Sequence, residues 1–202
     1  MSPVARGPVG LRGFAVCAAL MYATVKAAIA QVTPSLSLRY NQVRNGESAM
    51  LGVKDKVPTF SLEDENGQEV SLKDFKGKTV VLYFYPRADT PGCTREAIDF
   101  TRLESDFAEN HTAILGVSAD PLKAQEAFRD KHKLSVPLAS DEHHRMLEAY
   151  GAWGEKSMYG RTFQGIIRTT VLIGTKGQIL KVWRHVKVDG HAEEVLAVAR
   201  AT

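Results

Sequence analysis

Downstream of residue 50, apolar and polar positions alternate between two rhythms. Residues 79–85, TVVLYFY, are all β-branched, aromatic or leucine with no polar alternation, which predicts a strand covered on both faces; Pro86 ends it. Ahead of it, residues 57–60 and 69–72 flank Asn66-Gly67, a short-hairpin signal at the N-terminal side of the domain. After it, Ala97, Phe100, Leu103 and Phe107 recur at helical spacing and predict one helix over 91–109. A strand over 113–118 follows, then a helix opening at Asp120-Pro121 with Phe128 turned inward, and a short strand over 136–139. Asp141 is placed to cap a helix running to Tyr150. Residues 169–174 and 178–183 form a hairpin through Thr175-Lys176-Gly177, and a last helix covers 191–199. Strand–helix alternation that closes on a hairpin and a helix predicts an α/β fold with a mixed central sheet flanked by helices.

Residues 1–49 follow neither rhythm. Basic positions lead into an apolar run over 14–25, then Lys26, then Ala28-Ile29-Ala30. The run is shorter than the ~20 residues a membrane-spanning helix needs. It reads as a signal peptide cleaved near Ala30, as an organellar presequence, or as upstream sequence ahead of a start at Met50. On all three readings residues 1–49 are a leader outside the fold, and the domain is 50–202. The expected location is cytoplasmic, or exported or organellar if the leader is a cleavable one. Charge follows the same division. Residues 1–49 carry Arg6, Arg12, Lys26, Arg39 and Arg44 against Glu47, a net of +4 that leaves −1 for the remainder of a chain totalling +3. A near-neutral domain offers no electrostatic case for a nucleic-acid or acidic-membrane partner.

Two cysteines, Cys17 and Cys93, exclude a disulfide framework and a four-cysteine metal site. His143 and His144 are adjacent, so on a helix they point about 100° apart, and no third ligand accompanies them. His111, His132, His185 and His191 are scattered, and Gly151, Gly154 and Gly160 lack the spacing of a phosphate loop. Trp153 and Trp183 read as packing residues. No metal and no cofactor are expected.

The chemistry concentrates in Pro86-Arg87-Ala88-Asp89-Thr90-Pro91-Gly92-Cys93. A buried strand ends, a short loop follows, and a helix opens with Thr90 at the N-cap and Pro91 at the first helical position. Cys93 then falls in the first turn, facing unpaired backbone N–H groups and the positive end of the helix dipole. Both favour thiolate, the nucleophilic form. A thiolate attacking a peroxide needs donors for the departing oxygen, and a guanidinium supplies several in a fixed plane. Arg168, just before the strand over 169–174, is the leading candidate; Arg161 and Arg87 are the alternatives. Thr90 is placed to reach sulfur and peroxide, and Pro86 to shield the sulfur from water.

Pro86-x-x-x-Thr90-x-x-Cys93 resembles the peroxiredoxin active-site motif. Tyr83-Phe84-Tyr85-Pro86, Thr90-Pro91-Gly92-Cys93-Thr94 and Gly165-Ile166-Ile167-Arg168-Thr169-Thr170 are similar to the peroxiredoxin Q group, also called the bacterioferritin comigratory proteins. The resemblance runs from about Leu51 to the C-terminus. It implies a thioredoxin-like fold and an antioxidant activity, the reduction of hydrogen peroxide and organic hydroperoxides through a Cys93 sulfenic acid. It implies Cys93 as the peroxidatic cysteine, Thr90 and Pro86 as its motif partners, and Arg168 as the activating arginine. Electrons would return from thioredoxin, glutaredoxin or a small thiol.

One departure from the group bears on mechanism. Many members carry a resolving cysteine five residues after the first, where this chain has Ile98. Residues 50–202 hold no second cysteine, so a one-cysteine mechanism with an external thiol is expected, and a monomer is the default. Cys17 is the remaining thiol that could take part in resolution. A thiol–disulfide oxidoreductase would need Cys-x-x-Cys, and Glu96 occupies the second position. A non-catalytic holdase or interaction module on the same fold is the other alternative.

Overall fold

The computed structural model describes residues 51–158 and 160–202. The leader expected over 1–49 lies outside the described residues.

Strand β3 (Thr79–Phe84) explains why its sequence has no polar alternation. Val80, Leu82 and Phe84 enter one apolar core, while Val81, Tyr83 and Tyr85 enter a second on the opposite face of the sheet. Every residue from Val80 to Tyr85 is buried. The strand is central in a seven-stranded sheet of order β2-β1-β5-β4-β3-β8-β9. Its neighbours are β4 (Thr112–Ser118), parallel, and β8 (Thr169–Ile173), antiparallel. Beyond β4 runs β5 (Leu138–Ser140), parallel; beyond β8 runs β9 (Ile179–Arg184), antiparallel. Mixed pairing with both faces covered is the arrangement the strand–helix order predicts.

The core around Val81, Tyr83 and Tyr85 is closed by α1 (Pro91–Arg102), α2 (Glu104–Glu109), α3 (Leu122–His132) and α5 (His191–Arg200). They contribute Phe100, Phe107, Phe128 and Val195 to it. The core around Val80, Leu82 and Phe84 is closed by α4 (Arg145–Ala149), through Met146 and Leu147, with Tyr150 just after it.

The helix expected over 91–109 is two segments rather than one. Leu103 (φ −97°, ψ 3°) separates α1 from α2. The Leu103 N–H still donates to the Asp99 carbonyl at 3.2 Å and its own carbonyl accepts from Phe107 at 3.1 Å, so these bonds run across the break. Asp141 caps α4 as expected, but across a turn: Oδ1 accepts from Arg145 N–H at 3.1 Å and Oδ2 from Leu147 N–H at 2.8 Å. Residues 142–144 are therefore outside the helix, and His144 sits at φ +60°.

The N-terminal hairpin is displaced from its expected register. The strand expected over 57–60 lies at β1 (Ser61–Asp64), pairing with β2 (Glu69–Ser71). Pro58 has no N–H to give a ladder, and Val57 and Phe60 are both buried in the core with Val80 instead of alternating. Asp64 organises the turn, its Oδ1 accepting from Asn66 and Gln68 N–H at 2.9 Å each, with Gly67 at φ +72°. A 3-10 turn (Leu72–Phe75) leads on to β3. A second hairpin, β6 (Trp153–Met158) with β7 (Arg161–Ile166), was not expected from the sequence. Residues 161–164 of β7 are exposed in succession, so no period-two burial signal marks it.

Candidate active site

The site grows from the end of β3. The ladder to β4 extends one residue further, with Tyr85 N–H donating to the Val117 carbonyl at 3.1 Å. Pro86, partly buried, then breaks it. The loop over 86–90 is pinned by the segment that follows β4. Asp120 Oδ2 accepts from the Ala88 N–H at 2.7 Å and from the Ser118 hydroxyl at 2.8 Å. The Asp89 carboxylate meets Lys131 Nζ at 2.6 Å and His132 Nε2 at 2.7 Å.

Thr90 is the N-cap residue of α1, with extended backbone (φ −92°, ψ 150°), and Pro91 follows at the first helical position. Its hydroxyl does not bond the helix N-terminus; Oγ1 donates to the Arg87 carbonyl at 3.0 Å, closing the loop on itself. The first turn is nonetheless formed, Thr94 N–H reaching the Thr90 carbonyl at 2.8 Å. Cys93 is the third residue of the helix and only 1% exposed.

Arg168 reaches this sulfur because β8 runs antiparallel to β3 with Thr169 opposite Phe84. The residue before β8 therefore lies beside the residue after β3. Arg168 Nη2 donates to Cys93 Sγ at 3.2 Å. Gly92 lies against it, a Cβ there standing in ordinary contact at 3.4 Å from that nitrogen. Of the three arginines considered, the structure brings only Arg168 to the sulfur; Arg87 and Arg161 are exposed.

The other half of the guanidinium is taken by a group that sequence reasoning passed over. Arg168 Nη1 donates to Glu96 Oε2, and Glu96 is 1% exposed. Burial pushes the Glu96 carboxyl up to about 7, with Arg168 opposing the rise. Oε1 of the same carboxyl has no partner among the described residues. Burial alone would lower the Arg168 pKa, but Glu96 and the Cys93 sulfur outweigh it, so the guanidinium is held firmly as a cation. The available signal was spacing, since Glu96 follows Cys93 by three residues and so shares its helix face.

His191 opens α5 beside this cluster, its Nε2 2.8 Å from Thr170 Oγ1 and its ring edge-on to Phe100 and Trp183. Burial lowers its pKa to about 4, with Glu194 opposing and Arg168 and Lys181 adding to the fall, so the imidazole is neutral. His144, one of the adjacent pair, stacks on Trp153 with centroids 3.8 Å apart. Ile98, at the resolving-cysteine position, is 43% exposed. A thiol buried at a helix start, with a guanidinium on its sulfur and a loop of fixed polar contacts beside it, is equipped for nucleophilic attack on a small electrophile whose departing atom gains negative charge.

The AhpC/TSA family model matches residues 53–182. A putative peroxiredoxin bcp of Coxiella burnetii is 44% identical over 144 residues, which cover 71% of this chain and 95% of that protein. Peroxiredoxin Bcp of Bacillus subtilis is 42% identical, covering 71% of this chain and 92% of that one. Among solved structures, the bacterioferritin comigratory protein of Xanthomonas campestris, studied for its alkyl peroxide reduction activity, superposes with a TM-score of 0.69. It is 37% identical, and the match covers 73% of this chain and 98% of that one. A cysteine-to-serine mutant of Xylella fastidiosa PrxQ gives a TM-score of 0.72 at 35% identity, covering 76% of this chain and 98% of that one. Motif, fold and relatives agree: the chain belongs to the AhpC/TSA family, among its Bcp/Q peroxiredoxins.

Proposed function

We propose that this chain is a thiol-dependent peroxidase in which Cys93 attacks hydroperoxides by a one-cysteine mechanism. The observation that carries this reading is the 3.2 Å bond from Arg168 Nη2 to Cys93 Sγ, made at the first turn of α1. The Cys93 thiolate attacks one peroxide oxygen, the O–O bond breaks, and the departing oxygen leaves with the electron pair and takes a proton. The sulfur is left as a sulfenic acid, oxidised by two electrons. Arg168 stabilises the anion before attack and the charge that develops on the departing oxygen. The Thr90 hydroxyl has one proton, already given to Arg87, so to a peroxide it offers lone pairs and accepts the peroxide's hydrogen. Pro86 is assigned the shielding of the sulfur from water by its place in the motif.

Reduction comes from outside the domain, because residues 50–202 contain one cysteine. An external thiolate attacks the Cys93 sulfur and displaces hydroxide, which leaves as water after protonation. A second thiol then attacks the reductant's sulfur in the mixed disulfide and returns the Cys93 thiolate. Thioredoxin, glutaredoxin or a small thiol fits this role, acting on a monomer. A start at Met50 would make the protein cytoplasmic; a cleaved leader would make it exported or organellar.

The direct test follows hydrogen peroxide loss by the full chain with thioredoxin, thioredoxin reductase and NADPH, beside Cys93→Ser. Trapping the sulfenic acid in a single turnover isolates the first half-reaction. Wild type should consume peroxide and gain one oxygen on Cys93; equal consumption by the serine variant would refute the reading.

A further inference from the structure

One element, α3 with the turn ahead of it, holds the Cys93 loop along its whole length. At its start Asp120 takes the Ala88 N–H. Midway, Gln125 Oε1 accepts the Tyr85 hydroxyl, while its Nε2 donates to Ser118 Oγ at 2.8 Å and the Ala139 carbonyl at 3.2 Å. At its end Lys131 and His132 take both oxygens of Asp89. The inner contacts are buried: Tyr85 is 1% exposed, Ser118 and Gln125 0%. The outer ones are reached by solvent, with the Asp89, Lys131 and His132 side chains 44%, 61% and 20% exposed. Asp89 itself stands in the left-handed region, φ +57°.

Cys93 behind this loop is 1% exposed. A hydroperoxide brings only two oxygens to the sulfur, but a reducing thiol must bring a sulfur into line with the S–O bond, on a carrier too large to enter a closed site. Oxidation can proceed with the loop shut, whereas reduction requires it to open. Buried polar networks hold together, while exposed ion pairs are weak and screened by salt. The loop therefore gives way first at Asp89. We infer that Asp89, Lys131 and His132 form a latch on the Cys93 loop, positioning residues that set how fast the sulfenic acid meets its external thiol. This rests on Cys93 as the reacting sulfur.

Asp89→Asn tests it, because asparagine keeps the left-handed backbone while losing the charge that both partners hold. Lys131→Met is the second variant. Three quantities are measured on the full chain: sulfenic acid formation with hydrogen peroxide, its reduction by dithiothreitol and by thioredoxin, and amide exchange at Ala88. In Asp89→Asn, reduction by both dithiols should rise roughly two- to tenfold, as expected for losing two weak outer contacts, with oxidation within about twofold of wild type. Lys131→Met should give a smaller rise, and Ala88 exchange should accelerate in the same order. Unchanged reduction with unchanged Ala88 exchange would overturn the latch. So would a gain confined to thioredoxin, which would place the effect in docking, or an equal fall in oxidation and reduction, which would mean a disturbed site. If no sulfenic acid forms in wild type, the Cys93 assignment has failed, and Ala88 exchange in the two variants still decides the latch.

Discussion

Arg168 is shared with Glu96, the nitrogen not on sulfur being bonded to a carboxyl that is 1% exposed. This pairing ties the reach of the guanidinium to the helix that carries Cys93. It also places a carboxyl where burial moves its ionisation to about 7. Below that value the carboxyl is neutral and the arginine's charge is left to the sulfur.

Glu96 and His191 give stability opposite dependences on pH. The Glu96 pKa is raised from 4.5 to about 7, so its favourable contribution is full below the unfolded value and lost as pH rises through about 7. The His191 pKa is lowered from 6.5 to about 4, so its contribution is full above the unfolded value and lost as pH falls through about 4. The two windows overlap between about pH 4.5 and 6.5, where the proton balances cancel, so urea midpoints should hold level there and fall on either side. Glu96→Gln should flatten the alkaline limb and let the acid limb climb, uncancelled, to about pH 6.5; an unchanged alkaline limb would contradict the buried, proton-holding Glu96.

Arg168→Met should slow sulfenic acid formation by about 10²-fold or more, the usual scale for losing a donor to developing negative charge. Arg161→Met, on the exposed β7, should change it much less. Single-turnover mixing with hydrogen peroxide resolves the two, and equal effects would remove Arg168 from its assigned role.

Cys17→Ser should leave steady-state turnover unchanged, within about twofold. The mixed disulfide found during turnover should join Cys93 to the reductant. A large loss of turnover, or a Cys17–Cys93 crosslink in the oxidised protein, would replace the one-cysteine mechanism with an internal one.

Gly116→Ala should destabilise the fold by about 1–3 kcal/mol, the range for forcing an extra methyl into a packed core. Gly116 is the direct β4 partner of Tyr83, and a Cβ there would lie 2.6 Å from the Tyr83 Cζ and hydroxyl oxygen and 2.9 Å from Leu138 Cδ2. Tyr83→Phe should be neutral or stabilising by about 1 kcal/mol, since the hydroxyl is buried with no partner among the described residues. Chemical denaturation of the two variants checks both signs.

Much of this architecture was legible where burial is two-sided or periodic. β3, β4, β8 and the helix carrying Cys93 could be read because apolar runs and helical spacing report directly on what each face touches. The order Pro86, Thr90, Cys93 was readable because loop, cap and first turn are local features. Three things were not readable. The β6–β7 hairpin buries too little to leave a pattern. β1 was misplaced because Val57 and Phe60 both pack inward ahead of the strand. Glu96 and Asp89 were given no site role, and their contacts depend on partners far along the chain, Arg168 72 residues away and Lys131 42 residues away.

The antiparallel pairing of β3 with β8 has a consequence for when the site comes into being. Cys93 and Arg168 are 75 residues apart and are brought together by that strand contact. A ribosome making this chain releases the cysteine well before the arginine, so a growing or half-assembled molecule carries the nucleophile without its cation. On the roles proposed for Cys93 and Arg168, full reactivity toward peroxide would arrive with the late strand, and a chain cut short before it would be left with an unassisted thiol.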